Sequence, residues 1–264
     1  DYAYYKEKGY LNDTIVGVSG IEAYNEDVLH GTRNKYVLNS DNSLELYEAG
    51  KKGQDIVLNL DLDLEEKLIS IQKSNMLKVK KMQNTDYFDT NYSIISDPNT
   101  GSILAISGLK IKDDTFSDVS SNIMLNSYTV GSVIKGASNT VGYLNNVILK
   151  GQKIRDGCIK IHYVPKKCSF KDLGYLDDIT ALKQSSNYYQ FMTAIKLTGN
   201  TYKYNMDLPV TVNDFNKYRD VFAMFGLGSS TGIDFPKENT GIKGSTISSD
   251  LYLNLAIGQY DTYT

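Results

Sequence analysis

The sequence predicts a fold of the α/β (α+β) class, a mixed architecture that combines a sheet with many helices. Three observations lead to this prediction. The 264 residues are 41% hydrophobic, which is enough to bury a core. Two apolar runs joined by a turn sequence indicate a β-hairpin before residue 110, and helical periodicity dominates after residue 130.

The N-terminal part predicts short strands followed by one long helix. The first fifty residues alternate in short segments with turn formers such as those at 39–43, which is typical of an extended or β-rich arm. Residues 55–60 alternate as a half-buried strand does. Asp61 or Asp63 can then cap a helix, and Leu64, Leu68 and Ile71 recur at helical spacing.

The hairpin and the later helices follow in order. Residues 92–96 and 102–106 are joined by Asp97-Pro-Asn-Thr-Gly101, in which Pro98 presets φ and Gly101 allows a positive φ. Helices are predicted near 132–148, 177–198, 213–225 and 247–256. Tyr218, Phe222 and Phe225 form an apolar stripe on the third of these and are predicted to lie in the core.

Charge and composition exclude several classes of protein. Twenty-eight Lys and Arg against 31 Asp and Glu give a net charge of -3 without a basic run, so nucleic acid is not an expected partner. The longest apolar runs are too short to span a bilayer. Two cysteines do not make a disulfide-dense scaffold.

Ser132-Val-Ile-Lys135 is the first pattern that carries chemistry. It lies where a loop enters a helix, and residues three apart share a helix face, so the lysine amine can take the serine proton. Lysine is a base only when neutral, and burial near a helix N-terminus lowers its pKa. By itself the pattern also fits a surface serine and lysine.

Ser185-Ser-Asn187 is the second pattern, placed between two helical segments. Its hydroxyl can relay a proton and its carboxamide can bind a peptide group, although a polar break between helices would look the same. The order S-x-x-K and then S-x-N is the one found in penicillin-binding proteins and class A β-lactamases.

With its surrounding segments, the chain resembles the transpeptidase domain of a class B penicillin-binding protein. The resemblance includes Gly53–Asp61 as a first strand, 97–105 as a hairpin and Tyr128–Lys135 as the nucleophile turn, with Val130 where proline is usual. Further matching segments are Phe225–Gly228, Thr231–Pro236, Ala256–Gln259, and, in the preceding pedestal, Gly20–Glu22, Tyr24 and Leu29–Gly31. It implies a pedestal remnant over 1–50 and a catalytic domain over 51–264, with the family's central antiparallel sheet flanked by helices.

The resemblance implies a role for each motif residue. Ser132 would attack a D-alanine carbonyl of a peptidoglycan stem peptide, and Lys135 would be its base. Ser185 would pass the proton to the departing amine and Asn187 would hold a substrate amide. It also implies acylation by β-lactam antibiotics, a membrane glycan polymerase as partner, and an extracytoplasmic location anchored by an N-terminal helix absent from this chain.

One family element, a Lys-Thr-Gly or Lys-Ser-Gly strand, is missing from the 264 residues. Lys243-Gly-Ser245 has similar residues in another order and precedes Ala256–Gln259, which should come first, so it is rejected as that element. We therefore expect the parent protein to continue beyond Thr264, with the domain C-terminally incomplete here.

Both cysteines and one of two histidines fall within residues 158–168. Three interpretations compete: a disulfide, two unrelated thiols, or a metal site formed by Cys158, His162 and Cys168, with Asp156 as fourth ligand. The resemblance favours structural zinc, because some class B enzymes of Gram-positive bacteria carry one beside the active site. The acyl-transfer chemistry itself requires no cofactor.

Two other functions fit the same motifs. One is another penicillin-recognising serine enzyme, a D,D-carboxypeptidase or a β-lactamase, against which the pedestal segment argues. The other is a noncatalytic scaffold or β-lactam sensor, and such a protein would lack the Lys-Thr-Gly strand altogether.

Overall fold

The computed structural model describes residues 2–263, which form two compact units. One runs to Met124 and includes Ile233–Glu238, and the other comprises Leu125–Gly232 and the chain from Asn239 onward. The division groups the hairpin with the N-terminal part, because its strands pack against the long helix there. The predicted domain boundary at residue 50 stays a prediction.

The first unit contains five strands and five helices among its described residues. The strands are β1 Lys35–Leu38, β2 Leu44–Glu48, β3 Thr90–Ser96, β4 Ile103–Lys112 and β5 Thr115–Asp118. The helices are α1 Tyr2–Glu7, α2 Gly20–Tyr24, α3 Glu26–Leu29, α4 Leu62–Lys80 and α5 Asn122–Leu125, which ends at the start of the second unit.

The predicted hairpin is confirmed and belongs to an antiparallel sheet of order β3-β4-β5. Helix α4 begins as predicted, with the Asp61 carboxylate accepting a hydrogen bond from the Leu64 amide at 2.9 Å. Met76 of α4 is buried in one cluster with Leu109 and Ile111 of β4. Alternation along β4 therefore turns its apolar face towards the helix.

The strand predicted over 55–60 does not form. The segment pairs with no strand among the described residues, and Val57 is 94% exposed. A strand needs hydrogen bonds from a neighbour, and alternation alone does not supply that neighbour.

The second unit contains four short strands and five helices among its described residues, preceded by a 3₁₀ turn at Gly131–Ile134. The strands are β6 Ile154–Arg155, β7 Cys158–Ile159, β8 Lys167–Cys168 and β9 Tyr175–Leu176. The helices are α6 Lys135–Leu144, α7 Asp178–Lys183, α8 Asn187–Leu197, α9 Val212–Met224 and α10 Ser249–Leu255.

Helices α6, α8, α9 and α10 pack on one another around a core that contains Tyr218 and Phe222. Phe225 does not join them and is 57% exposed, because it caps the end of α9. The helix predicted over 177–198 is divided into α7 and α8. Ser185 has φ +55° there, and a residue in the left-handed region interrupts a right-handed helix.

Among residues 2–263, no helix combines the length and the apolarity needed to cross a bilayer.

Candidate active site

The Ser132 turn, residues 131–135, joins a loop to helix α6. Gly131 has φ +59°, a conformation that glycine adopts without steric cost. Ile134 and Lys135 are 2% and 1% exposed, whereas Ser132 is exposed and its hydroxyl makes no hydrogen bond within residues 2–263. The turn therefore exposes the Ser132 hydroxyl to solvent while its last two residues are anchored in the core.

The supporting segment, residues 256–263, approaches the backbone of this turn very closely. The Gly131 amide donates to the Gly258 carbonyl at 2.9 Å. A Cβ on Gly258 would lie 2.2 Å from the Gly131 oxygen, closer than atoms can approach, and Gly258 has φ +74°. The buried Ser138 hydroxyl of α6 donates to the Ala256 carbonyl at 2.8 Å. Only glycine fits at position 258.

The same segment holds the chain just before the Ser132 turn. Tyr128 and Tyr263 exchange two backbone hydrogen bonds of 2.8 Å, and the Ser127 and Thr262 hydroxyls lie 2.9 Å apart. The supporting segment thus contacts both the turn and the residues that lead into it.

Lys135 extends from the start of α6 to the Asn187 turn, residues 185–187. Its Nζ donates to the Ser185 carbonyl at 2.7 Å, to the Ser185 hydroxyl at 3.0 Å and to the Asn187 carboxamide oxygen at 2.6 Å. Burial lowers the pKa of Lys135 to about 8, because desolvation disfavours the ammonium. The structure therefore brings together three of the four predicted catalytic residues, and Ser132 lies three residues before the lysine.

The Asn187 turn is held by a cap and by backbone bonds. The Ser186 hydroxyl caps α8 by accepting from the Tyr189 amide at 3.0 Å. The amides of Ser185 and Ser186 donate to carbonyls of α7 at 3.0 and 2.9 Å. These contacts fix Ser185 in its left-handed conformation and aim its hydroxyl at Lys135.

A buried carboxylate lies behind this turn. Asp156 is 5% exposed and accepts from the Ser186 hydroxyl at 2.7 Å and from the Ser169 hydroxyl at 2.9 Å. Ser169 Oγ also accepts from the Tyr188 amide at 3.2 Å. Reasoning from the sequence missed Ser169 and Ser186, since both lie among common polar residues and only the fold brings them to Asp156.

The structure does not support the predicted zinc site, because its two cysteines are bonded to each other. Cys158 and Cys168 face each other in the β7–β8 pair and form a disulfide with a Cα–Cα distance of 4.2 Å. A disulfide removes both thiolates, which are the sulfur ligands that zinc binds.

The other two predicted ligands also point elsewhere. His162 lies beside Asp207, with Nδ1 at 2.8 Å from its carboxylate, and stacks on Tyr163. Asp156 is occupied by two serine hydroxyls. Within residues 2–263, no three His, Cys, Asp or Glu side chains cluster as metal ligands would. The donor set therefore does not fit zinc. The residues predicted for it form a disulfide, a histidine–aspartate pair and a buried hydrogen-bond network.

The penicillin-binding protein transpeptidase domain matches residues 92–264. The chain belongs to this family. Its four-residue Ser132 motif and its Asn187 turn lie within the matched range, and so does the supporting segment.

Relatives in this family extend over nearly the whole chain. Penicillin-binding protein 2A of Bacillus subtilis (strain 168) is 34% identical over 99% of the chain. Penicillin-binding protein 2B of Streptococcus pneumoniae (strain D39) is 31% identical over 98% of it. The chain spans only 38% and 40% of these two proteins.

Solved structures of the family have the same fold. Penicillin-binding protein 2B of Streptococcus pneumoniae (strain 5204) superposes with a TM-score of 0.85 at 31% identity, over 99% of this chain and 46% of that one. Pseudomonas aeruginosa PBP2 gives a TM-score of 0.61 at 19% identity over 94% of this chain and 54% of that one, a likeness of fold alone. The predicted fold class and the predicted class B family are both confirmed.

Proposed function

We propose that this protein is a serine D,D-transpeptidase that cross-links peptidoglycan stem peptides through an acyl-enzyme and is acylated by β-lactams. The observation that carries the proposal is the buried Lys135 amine, hydrogen-bonded to Ser185 and Asn187 and one helical turn from the exposed Ser132. Membership of the transpeptidase family supports the same activity.

In the first step, the Ser132 oxygen attacks the carbonyl carbon of the penultimate D-alanine while its proton passes to the neutral Lys135 amine. The lowered pKa of Lys135, about 8, leaves a useful fraction of neutral lysine near neutral pH. That fraction falls as the pH drops below 8, so acylation slows in acid.

The hydrogen bonds of Lys135 accommodate both protonation states. An ammonium has three N–H donors, and three acceptors surround it. The Ser185 carbonyl and the Asn187 carboxamide oxygen can only accept, whereas the Ser185 hydroxyl can also donate. Neutral Lys135 keeps a lone pair free to take the Ser132 proton. Once protonated, it donates to the Ser185 hydroxyl, which can itself donate and is therefore the group able to move the proton onward.

The tetrahedral intermediate then collapses and the bond to the terminal D-alanine breaks. The proton taken from Ser132 passes from Lys135 through the Ser185 hydroxyl to the departing amine nitrogen. A second stem-peptide amine attacks the Ser132 ester, forms the cross-link and returns a proton to Ser132. A β-lactam opens on the same oxygen, but its amine stays attached and blocks the second step.

Family membership also bears on the domain organisation, the location and the partner of the whole protein. We propose that residues 1–50 are the remnant of a pedestal and that 51–264 belong to the catalytic domain. The family relationship supports an extracytoplasmic location, an N-terminal membrane anchor outside this chain and a membrane glycan polymerase as partner. The disulfide is compatible with an oxidising, extracytoplasmic environment.

Intact-protein mass spectrometry after incubation with a β-lactam tests the proposal. The protein should gain the mass of the antibiotic, and Ser132→Ala should not. Ser74→Ala, which changes an exposed serine of α4, is the matched control and should be labelled as the unchanged protein is.

Two outcomes would contradict the proposal. Equal labelling of the Ser132→Ala variant would show that another nucleophile reacts. An adduct that disappears rapidly with release of hydrolysed antibiotic would favour a β-lactamase over a transpeptidase.

A further inference from the structure

A buried ion pair holds the supporting segment itself. Arg219 of α9 donates to both carboxylate oxygens of Asp261, from Nε at 2.7 Å and from Nη2 at 2.9 Å. The Asp261 side chain is fully buried and that of Arg219 is 10% exposed. This fork-to-carboxylate geometry fixes orientation as well as distance.

The backbone of Gly244 is hydrogen-bonded to both members of the ion pair. The Gly244 amide donates to Asp261 Oδ1 at 2.9 Å, and Arg219 Nη2 donates to the Gly244 carbonyl at 2.8 Å. Two further backbone hydrogen bonds of 3.1 Å pair Ile242 with Thr262. The two buried charges are thus compensated by each other and by backbone groups, the condition under which a buried ion pair is tolerated.

Asp261 lies between the two contacts that the supporting segment makes with the residues around Ser132. It lies three residues after Gly258, which contacts the Ser132 turn, and two residues before Tyr263, which pairs with Tyr128. A shift of the chain at Asp261 therefore reaches both places at which the segment holds the residues around Ser132.

We propose that Arg219 and Asp261 are positioning residues that hold the supporting segment in register and, through it, fix Ser132 for acylation. The inference rests on the proposed function, since it assigns these residues to the attack by Ser132. The two side chains are hydrogen-bonded to each other and to Gly244, and within residues 2–263 neither is hydrogen-bonded to Ser132. Their effect passes through the backbone contacts at Gly258 and Tyr263.

The test measures two quantities on the intact protein carrying Asp261→Asn or Arg219→Lys. The first is the single-turnover rate constant of acylation by a β-lactam, measured well below the Tm, with the labelled fraction reporting how much protein is folded. The second is amide hydrogen exchange of residues 127–134.

We expect Asp261→Asn to slow acylation of the folded fraction by about 10- to 100-fold, because small displacements of a nucleophile have effects of that size. Exchange at residues 127–134 should accelerate. Arg219→Lys keeps the charge and one bond to Asp261 but loses the fork, so it should retain the fold and lie between Asp261→Asn and the unchanged protein in both measurements.

Arg33 and Asp13 provide a matched control. They form an ion pair of the same residue types at 2.9 Å, but their side chains are 56% and 70% exposed. Arg33→Lys and Asp13→Asn should leave both the acylation rate and the exchange of residues 127–134 unchanged.

A lower Tm with an unchanged acylation rate constant and unchanged exchange at 127–134 would overturn the inference, since the pair would then stabilise the fold without positioning Ser132. If the unchanged protein forms no adduct at all, the proposed function fails. The hydrogen exchange still decides whether the ion pair holds the turn.

Discussion

The Ser132 turn and the Asn187 turn are held in place by different kinds of contact. The Ser132 turn depends on backbone groups that touch the supporting segment so closely that position 258 has no room for a side chain. The Asn187 turn depends, besides its backbone bonds to α7, on side-chain hydrogen bonds: Lys135 donates to it on one side, and Ser186 donates to Asp156 on the other. The first should respond to added volume, and the second to lost hydrogen bonds.

The difference has a chemical reason. A nucleophile must keep one position while the substrate changes shape, and backbone packing provides little freedom to move. Ser185 and Asn187 contact a lysine that gains and loses a proton. Hydroxyl and carboxamide groups can redirect their hydrogen bonds at small cost, which a packed backbone cannot do.

Among variants that keep all four predicted catalytic residues, Gly258→Ala should have the largest effect on activity. The new Cβ would overlap the Gly131 carbonyl and displace the Ser132 turn, so we expect acylation by a β-lactam to fall by about 100-fold or more. The single-turnover acylation rate constant measures the loss.

Gly199→Ala is the control for this variant. Gly199 has φ +78°, close to the +74° of Gly258, but a Cβ there would meet no atom of residues 2–263 within 4 Å. It should lose about 1–2 kcal/mol of stability from the unfavourable φ and keep its acylation rate. If the two variants lose the same activity, the close approach of residues 258 and 131 is unimportant.

Ser186→Ala should have a smaller effect, because the backbone bonds of the Asn187 turn remain. It removes a helix cap, which contributes about 1 kcal/mol, and a hydrogen bond to a buried carboxylate, which contributes about 1.5–3 kcal/mol. Urea unfolding measures the stability, and the acylation rate should fall less than in Gly258→Ala.

Ser248→Ala separates the two contributions. Ser248 caps α10 by accepting from the Leu251 amide at 3.3 Å, and among the described residues it is bonded to no buried carboxylate. It should lose the cap contribution alone. Equal destabilisation by the two serine variants would show that Asp156 contributes nothing to the Asn187 turn.

Local patterns revealed only part of this site. Ser132, Lys135, Ser185 and Asn187 could be predicted because their spacing within a helix or turn is itself the signal, although their catalytic roles stay predictions. Arg219 and Asp261 are 42 residues apart, and Ser169 lies 13 residues from Asp156. No local period connects such pairs, so only the packed fold shows them.

The fold followed the same rule. The hairpin at 97–101 and the cap at Asp61 were predictable because turn and cap chemistry is local. The strand expected at 55–60 was wrong because pairing requires a partner elsewhere in the chain. The zinc site failed for a related reason. Spacing brought two cysteines and a histidine together in sequence, but the β7–β8 register directs the two sulfurs at each other and not at His162.

Removing the disulfide should affect activity less than Gly258→Ala or Ser186→Ala, because the bonds of Asp156 to Ser169 and Ser186 do not require it. Replacing both Cys158 and Cys168 by serine should remove about 2–3 kcal/mol of stability, the amount expected for so short a closed loop.

The unreduced, unfolded protein should resist alkylation, and its mass should be lower than that of the dithiol by two hydrogen atoms. Alkylation of both cysteines together with release of one zinc per chain on unfolding would overturn the disulfide and restore the metal interpretation. Acylation rates measured on the double variant then decide how far this loop, and not Ser186 alone, supports the Asn187 turn.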